Sequence, residues 1–247
     1  MEKLTTEQVQ YYHRNGYLLS YKSVLQEKIF TELERRFNDY YESHQDEHVW
    51  DCPHWNDSWF LDLLCSKDII DNYVEPLIGP NIAIWASSFL FKAPYKGKAT
   101  PWHEDSAYFK DRLDRFDNMV TIWLAIDPSK RENGCMKVIP GTHNNGFSDY
   151  EETDINEDIF YHKIKNSIDE SKTIYLELNK NECSFHDSRI IHGAEKNTSS
   201  SRRCGFQMRY FPTSVKFNPF FYETKNENFK IYLAKGKDLA GNVYADA

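Results

Sequence analysis

The stretch IAIWASSFLFK, residues 82–92, is where the character of this sequence changes. It is rich in β-branched and aromatic residues and follows Gly79-Pro80, so it reads as a strand after a helix stop. Segments of the same kind recur at 119–126, 135–139, 173–178, 182–186, 189–192 and 203–211. Upstream the periodicity is helical. Thr5 and Gln8 have capping-box spacing, and Leu4 and Val9 are placed for a hydrophobic staple, so a helix is predicted from about Thr6 to just before Gly16. Phe30, Leu33, Phe37, Tyr40 and Tyr41 recur at helical intervals and predict a second helix over 26–43. A third covers about 57–77, with a break near Ser66 and Lys67. Helices first and short strands afterwards predict a mainly β protein, a sandwich or jelly roll buttressed by N-terminal helices. The whole of 1–247 is expected to form one domain: a helical part at about 5–78, a β core at about 81–211 and a tail at 212–247. The polar stretch 144–172 reads as a long functional loop, and 224–247 as a fraying end.

Composition narrows the function. A formal net charge of −8 argues against a nucleic-acid or anionic-membrane surface, both of which need clustered cations. No apolar run approaches the ~20 residues of a membrane helix. The N-terminus, MEKLTTEQVQ, is too polar for a secretory signal. The five cysteines are odd in number and contain no C-x-x-C pair, which suits reduced thiols in a cytoplasmic protein.

The chemistry is concentrated in Pro101-Trp102-His103-Glu104-Asp105 and, far downstream, Ile191-His192-Gly193. Two His and one carboxylate on one face of a ferrous ion leave open positions for substrate and O₂. In an extended segment residues two apart point to one side, so His103 and Asp105 can converge while Glu104 points away. Alone, a His-x-Asp pair is most often a hydrogen-bonded surface pair. Arg203, eleven positions beyond His192 at the start of another strand, changes that reading, because its fork of donors suits the distal carboxylate of a keto acid. Arg202 is its rival, and only one of two adjacent strand residues can face inward.

At these residues the chain resembles the phytanoyl-CoA dioxygenase (PhyH-like) family of Fe(II)/2-oxoglutarate oxygenases. The matching stretches run in order. They are Leu4 to Val9 with Asn15-Gly16-Tyr17, Trp102-His103-Glu104-Asp105 with Ala107-Tyr108, and Trp123-Leu124-Ala125-Ile126-Asp127. After these come Glu132-Asn133-Gly134 through Pro140-Gly141-Thr142-His143, then His192-Gly193 with Asn197 and Arg203. The resemblance implies a double-stranded β-helix (jelly-roll or cupin-like), Fe(II) held by His103, Asp105 and His192, and 2-oxoglutarate and O₂ as co-substrates. It also implies that Arg203 pairs with the keto acid and that Trp123 lines its pocket. Glu104 stands where some members carry Gln, and Ala194 where some carry Ser.

These features predict an oxygenase that hydroxylates, desaturates or cyclises a small metabolite, releasing succinate and CO₂. Asp105 leaves no ligand position vacant for halide, which argues against halogenation. The substrate class expected is an amino acid or specialised metabolite, with Tyr108, Arg209 and Lys92 as candidate contacts. Lys92 has a blander reading as a solvated strand end. His143 and His186 read as structural, and Glu132-Asn133-Gly134 as a tight turn with positive φ at Asn-Gly. A monomer or weak homo-oligomer is expected. Two alternatives remain at this point: a zinc-type hydrolase using the same triad, and a non-catalytic binding protein on this scaffold.

Overall fold

A computed structural model describes residues 2–108, 111–154, 156, 158–219 and 229–246. Helix α1 (Thr6–Asn15) begins with the expected capping box and ends at Gly16, whose φ of 78° is the left-handed cap. Helix α2 (Glu27–Tyr41) turns Phe30, Leu33 and Phe37 inward, and α3 (Ser58–Leu64) starts at Asp57, which accepts from Trp59 N at 3.0 Å. The third stretch does break at Cys65-Ser66, then resumes from Lys67 to Ile78 through a π-type turn at Ile70–Val74. Pro76 has no N–H to give the Asn72 carbonyl. That oxygen instead accepts Leu4 N at 3.0 Å and ties down the chain start.

Among the described residues, thirteen strands follow or interleave with these helices: β1 (Tyr17–Ser20), β2 (Val49–Asp51), β3 (Ile82–Lys92), β4 (Thr100–His103), β5 (Val120–Ala125), β6 (Met136–Val138), β7 (Tyr150–Glu152), β8 (His162–Ile164), β9 (Ile174–Tyr175), β10 (Cys183–Asp187), β11 (His192–Ala194), β12 (Arg203–Pro212) and β13 (Tyr232–Lys235). The larger sheet runs β1-β10-β5-β12-β3-β13, with β2 also on β3; the smaller runs β4-β11-β6-β9, and β7-β8 form a hairpin. The strand ladders are antiparallel.

The larger sheet is buried on both faces, which is why its strands read as near-continuous apolar runs. Its outer face packs on the helices: Phe37 stacks on Phe89 at 4.9 Å, and Phe89 meets Phe206 at 4.5 Å. Its inner face meets the smaller sheet, where Trp123 and Ala125 pack with Met136, Val138, Leu176 and Ile190. Two antiparallel sheets closed on each other in this way form a double-stranded β-helix.

Several expectations need correcting. The segment 189–192 is not a strand: Asp187 accepts from Arg189 in a turn, and β11 begins at His192. The stretch 144–172 is not structureless, since its polar residues hide the β7-β8 hairpin. The tail 229–246 does not fray, because β13 pairs with β3 and Ala245 N reaches Ile231 O at 2.9 Å; positions 224–228 and 247 of that expectation lie outside the described residues. Positive φ occurs at Gly134 and not at Asn133, which closes a short 3₁₀ turn. Among the described residues no helix is long and apolar enough to cross a membrane.

Gly205 sits mid-strand in β12 because a Cβ there would lie 2.0 Å from Trp123 Cζ2. Gly205→Ala should therefore cost about 1–3 kcal/mol through overpacking, read as a lower midpoint in thermal unfolding. Trp123→Leu in the same chain should restore part of the loss.

Candidate active site

The inner face of the larger sheet is organised in rows, because residues paired across an antiparallel ladder share a face. Arg203 lies opposite Lys92; Gly205 opposite Ala125 and Leu90; Gln207 opposite Trp123 and Ser88; Arg209 opposite Thr121 and Ala86. Thr121 in turn pairs with His186. One end of this face thus carries Arg203 and Lys92, and the other Arg209 and His186.

The smaller sheet supplies the other wall. His103 ends β4, His192 begins β11, and the two are partners in register. Asp105 follows on a 3₁₀ turn spanning Asp105–Tyr108. All three are buried, and one ligand atom from each lies within 4.8 Å of the others. The Nδ1 of His103 is 2.8 Å from Pro101 O, and that of His192 is 2.9 Å from Ile190 O. A carbonyl only accepts, so both Nδ1 atoms carry the proton and both Nε2 atoms present lone pairs. Each Nε2 stands 3.7 Å from Asp105 Oδ1. This donor set, two oriented imidazoles and a carboxylate in a closed space, fits a divalent ion.

Asp105 Oδ2 faces the opposite way, 3.6 Å from both His186 Nε2 and Arg209 Nε. Burial would raise this carboxyl, but Arg209 and the surrounding imidazoles outweigh it and hold it well below the usual carboxylate range. Burial and the neighbouring His103 push His192 well below the usual imidazole range, so its lone pair is free for a metal. His186 is fully buried, and neither ring nitrogen has a hydrogen-bond partner. It belongs to this site, unlike His143, whose Nε2 is 3.0 Å from His13 O at the end of α1. The alternation in Cys183-Ser184-Phe185-His186, with the apolar residues on the helical side, was the signal for it.

At the other end, Arg203 lies over the Trp123 ring at 4.6 Å, and that ring fills the space Gly205 leaves open. Its Nε has no hydrogen-bond partner, and burial lowers its pKa to about 10. Lys92 is buried, not solvated: it is 2% exposed and donates to Glu195 O at 2.5 Å and Ala194 O at 3.4 Å. Burial and Arg203 together push it well below the usual lysine range. Among the described residues no carboxylate pairs with either cation. Arg202 faces outward, donating to Asp127 at 2.7 and 3.0 Å and lying over Phe37 and Tyr41.

Glu104 turns away from the triad. It is 1% exposed and accepts from Ser148 N at 3.2 Å, Ser148 Oγ at 2.6 Å and the Tyr150 hydroxyl. It thereby anchors the segment that brings Phe160 to within 4.9 Å of the His103 ring. Tyr108 packs on Phe160 at 5.3 Å and donates to His162 O at 3.3 Å. Beside Asp105 and Arg209 these aromatics and Trp85 wall a cavity of about 290 Å³. Lys92 does not line it, so the three candidate substrate contacts divide between two places.

A family model described as phytanoyl-CoA dioxygenase (PhyH) matches residues 4–205. The peroxisomal phytanoyl-CoA dioxygenase of Rattus norvegicus is 30% identical over 158 residues, 62% of this chain and 46% of that protein. The match thus spans less than half of that relative's length. Among solved structures, the non-heme monooxygenase ThoJ in its apo form gives a TM-score of 0.77 at 18% identity, covering 97% of this chain and 87% of that one. The non-heme alpha ketoglutarate dependent carbocyclase SnoK from nogalamycin biosynthesis gives 0.73 at 21% identity, covering 96% and 94%. At such identities the structural likeness speaks for the fold alone. The family model covers well over half of the 247 residues, and the chain therefore belongs to the phytanoyl-CoA dioxygenase family.

Proposed function

We propose that this protein is an Fe(II)/2-oxoglutarate-dependent oxygenase that oxidises a C–H bond of a small molecule, by hydroxylation, desaturation or cyclisation. The observation that carries the reading is the pairing of two features on the facing inner walls of the two sheets. Two imidazoles and a carboxylate present ligand atoms within 4.8 Å, and among the described residues two buried cations on the facing sheet have no carboxylate partner. A hydrolase has use for the first feature but not for the second.

His103, Asp105 and His192 would hold the iron. When bound, Fe(II) with 2-oxoglutarate and O₂ would supply an oxidative decarboxylation in which one oxygen atom enters succinate and CO₂ is released, the other oxygen ending in the product in hydroxylation and in water in desaturation or cyclisation. The chain's own residues do the rest. The Pro101 and Ile190 carbonyls fix both imidazole tautomers. Arg203, with Lys92 beside it, offers the distal carboxylate of the keto acid a bidentate partner and a second charge. Trp123 and its apolar neighbours line that channel. Phe160 and Tyr108 keep water from the substrate side, where Arg209 and Tyr108 are placed to touch the substrate. Five free thiols suit a reducing, cytoplasmic setting.

Anaerobic addition of Fe(II) and 2-oxoglutarate should produce a visible charge-transfer band; a zinc hydrolase gives none. His192→Ala and Asp105→Ala should each remove iron binding, measured by calorimetry, and with it succinate formation. Arg203→Ala should raise the 2-oxoglutarate KM by ten-fold or more, given ~1.5–3 kcal/mol for a charge-assisted hydrogen bond. Arg202→Ala should instead lower the thermal midpoint and leave that KM near wild type.

A further inference from the structure

The cavity beside Asp105 carries opposite charges at separate places, and we infer from it the substrate class: a small zwitterion, with a carboxylate and a protonated amine on one compact apolar body. The inference deepens the oxygenase reading and rests on it for the chemistry that follows binding.

The cationic place is Arg209. Its Nη atoms donate to Ser88 Oγ at 3.2 Å and to Gln207 Oε1, while its buried Nε has no hydrogen-bond partner. Among the described residues the carboxylate that meets it is Asp105, 3.6 Å away. Once Asp105 serves a divalent ion, the guanidinium is left with charge and donors for another anion, and its fork matches a carboxylate.

The anionic place is Asp51, the last residue of β2. It pairs with Ser88, which pairs with Gln207, so it falls in the row next to Arg209 on the inner face. Its neighbour Trp50 points the other way, stacking on Tyr40 at 4.2 Å and Phe89 at 5.2 Å. Asp51 is exposed at the open end of the cavity, and among the described residues no cation lies within ion-pairing distance. The chain is strained to turn there. Cys52, which also lines the cavity, holds a φ of 48°, a left-handed conformation that non-glycine residues adopt at a cost and that clusters at ligand sites.

Between the two places the walls are apolar. Trp85 packs on Phe229 at 4.8 Å, and Phe160 closes the side towards His103. Arg112 lies over Phe229 at 4.6 Å and ends that wall at the rim. A volume of about 290 Å³ is at the bottom of the range for drug-sized ligands, so the molecule is small. An anion without an amine would meet Asp51 unfavourably, and an amine without an acid would meet Arg209.

The test uses the full chain with Fe(II) and 2-oxoglutarate. Probes are the proteinogenic amino acids and short straight-chain ω-amino acids, each compared with its N-acetyl, amide and deaminated forms. The expected result is that a free zwitterion shifts the anaerobic charge-transfer band and stimulates succinate formation. Its N-acetyl and amide forms should bind about ten-fold or more weakly. Asp51→Asn should weaken the zwitterion by a similar factor while binding of the deaminated form, relieved of repulsion, is no weaker than in the wild type. No response from any free zwitterion overturns the inference, as do blocked forms that bind equally well, or an Asp51→Asn loss that is the same with and without the amine. Absence of the band before any probe is added is failure of the oxygenase reading instead. Zwitterion binding is then read by calorimetry on the Fe(II)-loaded protein, with the same comparisons deciding.

Discussion

The period of two along β12 is the constraint from which the rest of the molecule follows. Cys204, Phe206 and Met208 face the helices, and Arg203, Gly205, Gln207 and Arg209 face the smaller sheet. A slip of one residue would drive two guanidiniums into the aromatic core and turn three apolar side chains onto the site. Both flanking strands, β3 and β5, hold the register, and the Phe37–Phe89–Phe206 stack makes the correct face strongly preferred. The bulge after Arg209 comes only where the polar row is complete.

That register obliges the fold to bury charge. Asp105, Arg203, Lys92 and most of Arg209 are removed from water, at a cost met only where charges are paired or hydrogen-bonded. Asp105 is met on both edges: Oδ1 by His103 and His192, Oδ2 by His186 and Arg209. Among the described residues, Arg203 and Lys92 meet an indole face and backbone carbonyls but no carboxylate. The structure therefore stores unsatisfied positive potential at one end of the inner face and a ready ligand set at the other. Such preorganisation serves ligands that bring the missing negative charge and the missing dication.

Much of this was legible in the sequence. The helix starts and the long strands β3, β5 and β12 follow from local periodicity and the His103–Asp105 pair from spacing in an extended segment, while the remote His192 joined them through its context and the family resemblance. Short strands were not legible. β2, β7, β8 and β13 are three or four residues long, mostly polar or mixed, and exist because a neighbour offers an edge. His186 read as structural because His103, Asp105 and His192 already made a complete ligand set. Only the pairing of β10 with β5 turns it towards Asp105. Asp51 carried no signal, since a lone exposed acid is ordinary until β2 joins the sheet. Lys92 ends its strand in the sequence but not in space, where the turn from Ala194 to Glu195 closes over it.

The outer edge of β3 is covered by two unrelated pieces of chain. β2 takes Ser88 to Leu90 and β13 takes Ile82 to Ile84. Without the last eighteen or so residues, the apolar run Ile82-Ala83-Ile84 would offer bare amides and carbonyls to any extended peptide that met it. The C-terminal segment thus acts as a guard against self-association. A chain cut before Phe229 would be expected to lose solubility well before it lost its metal ligands.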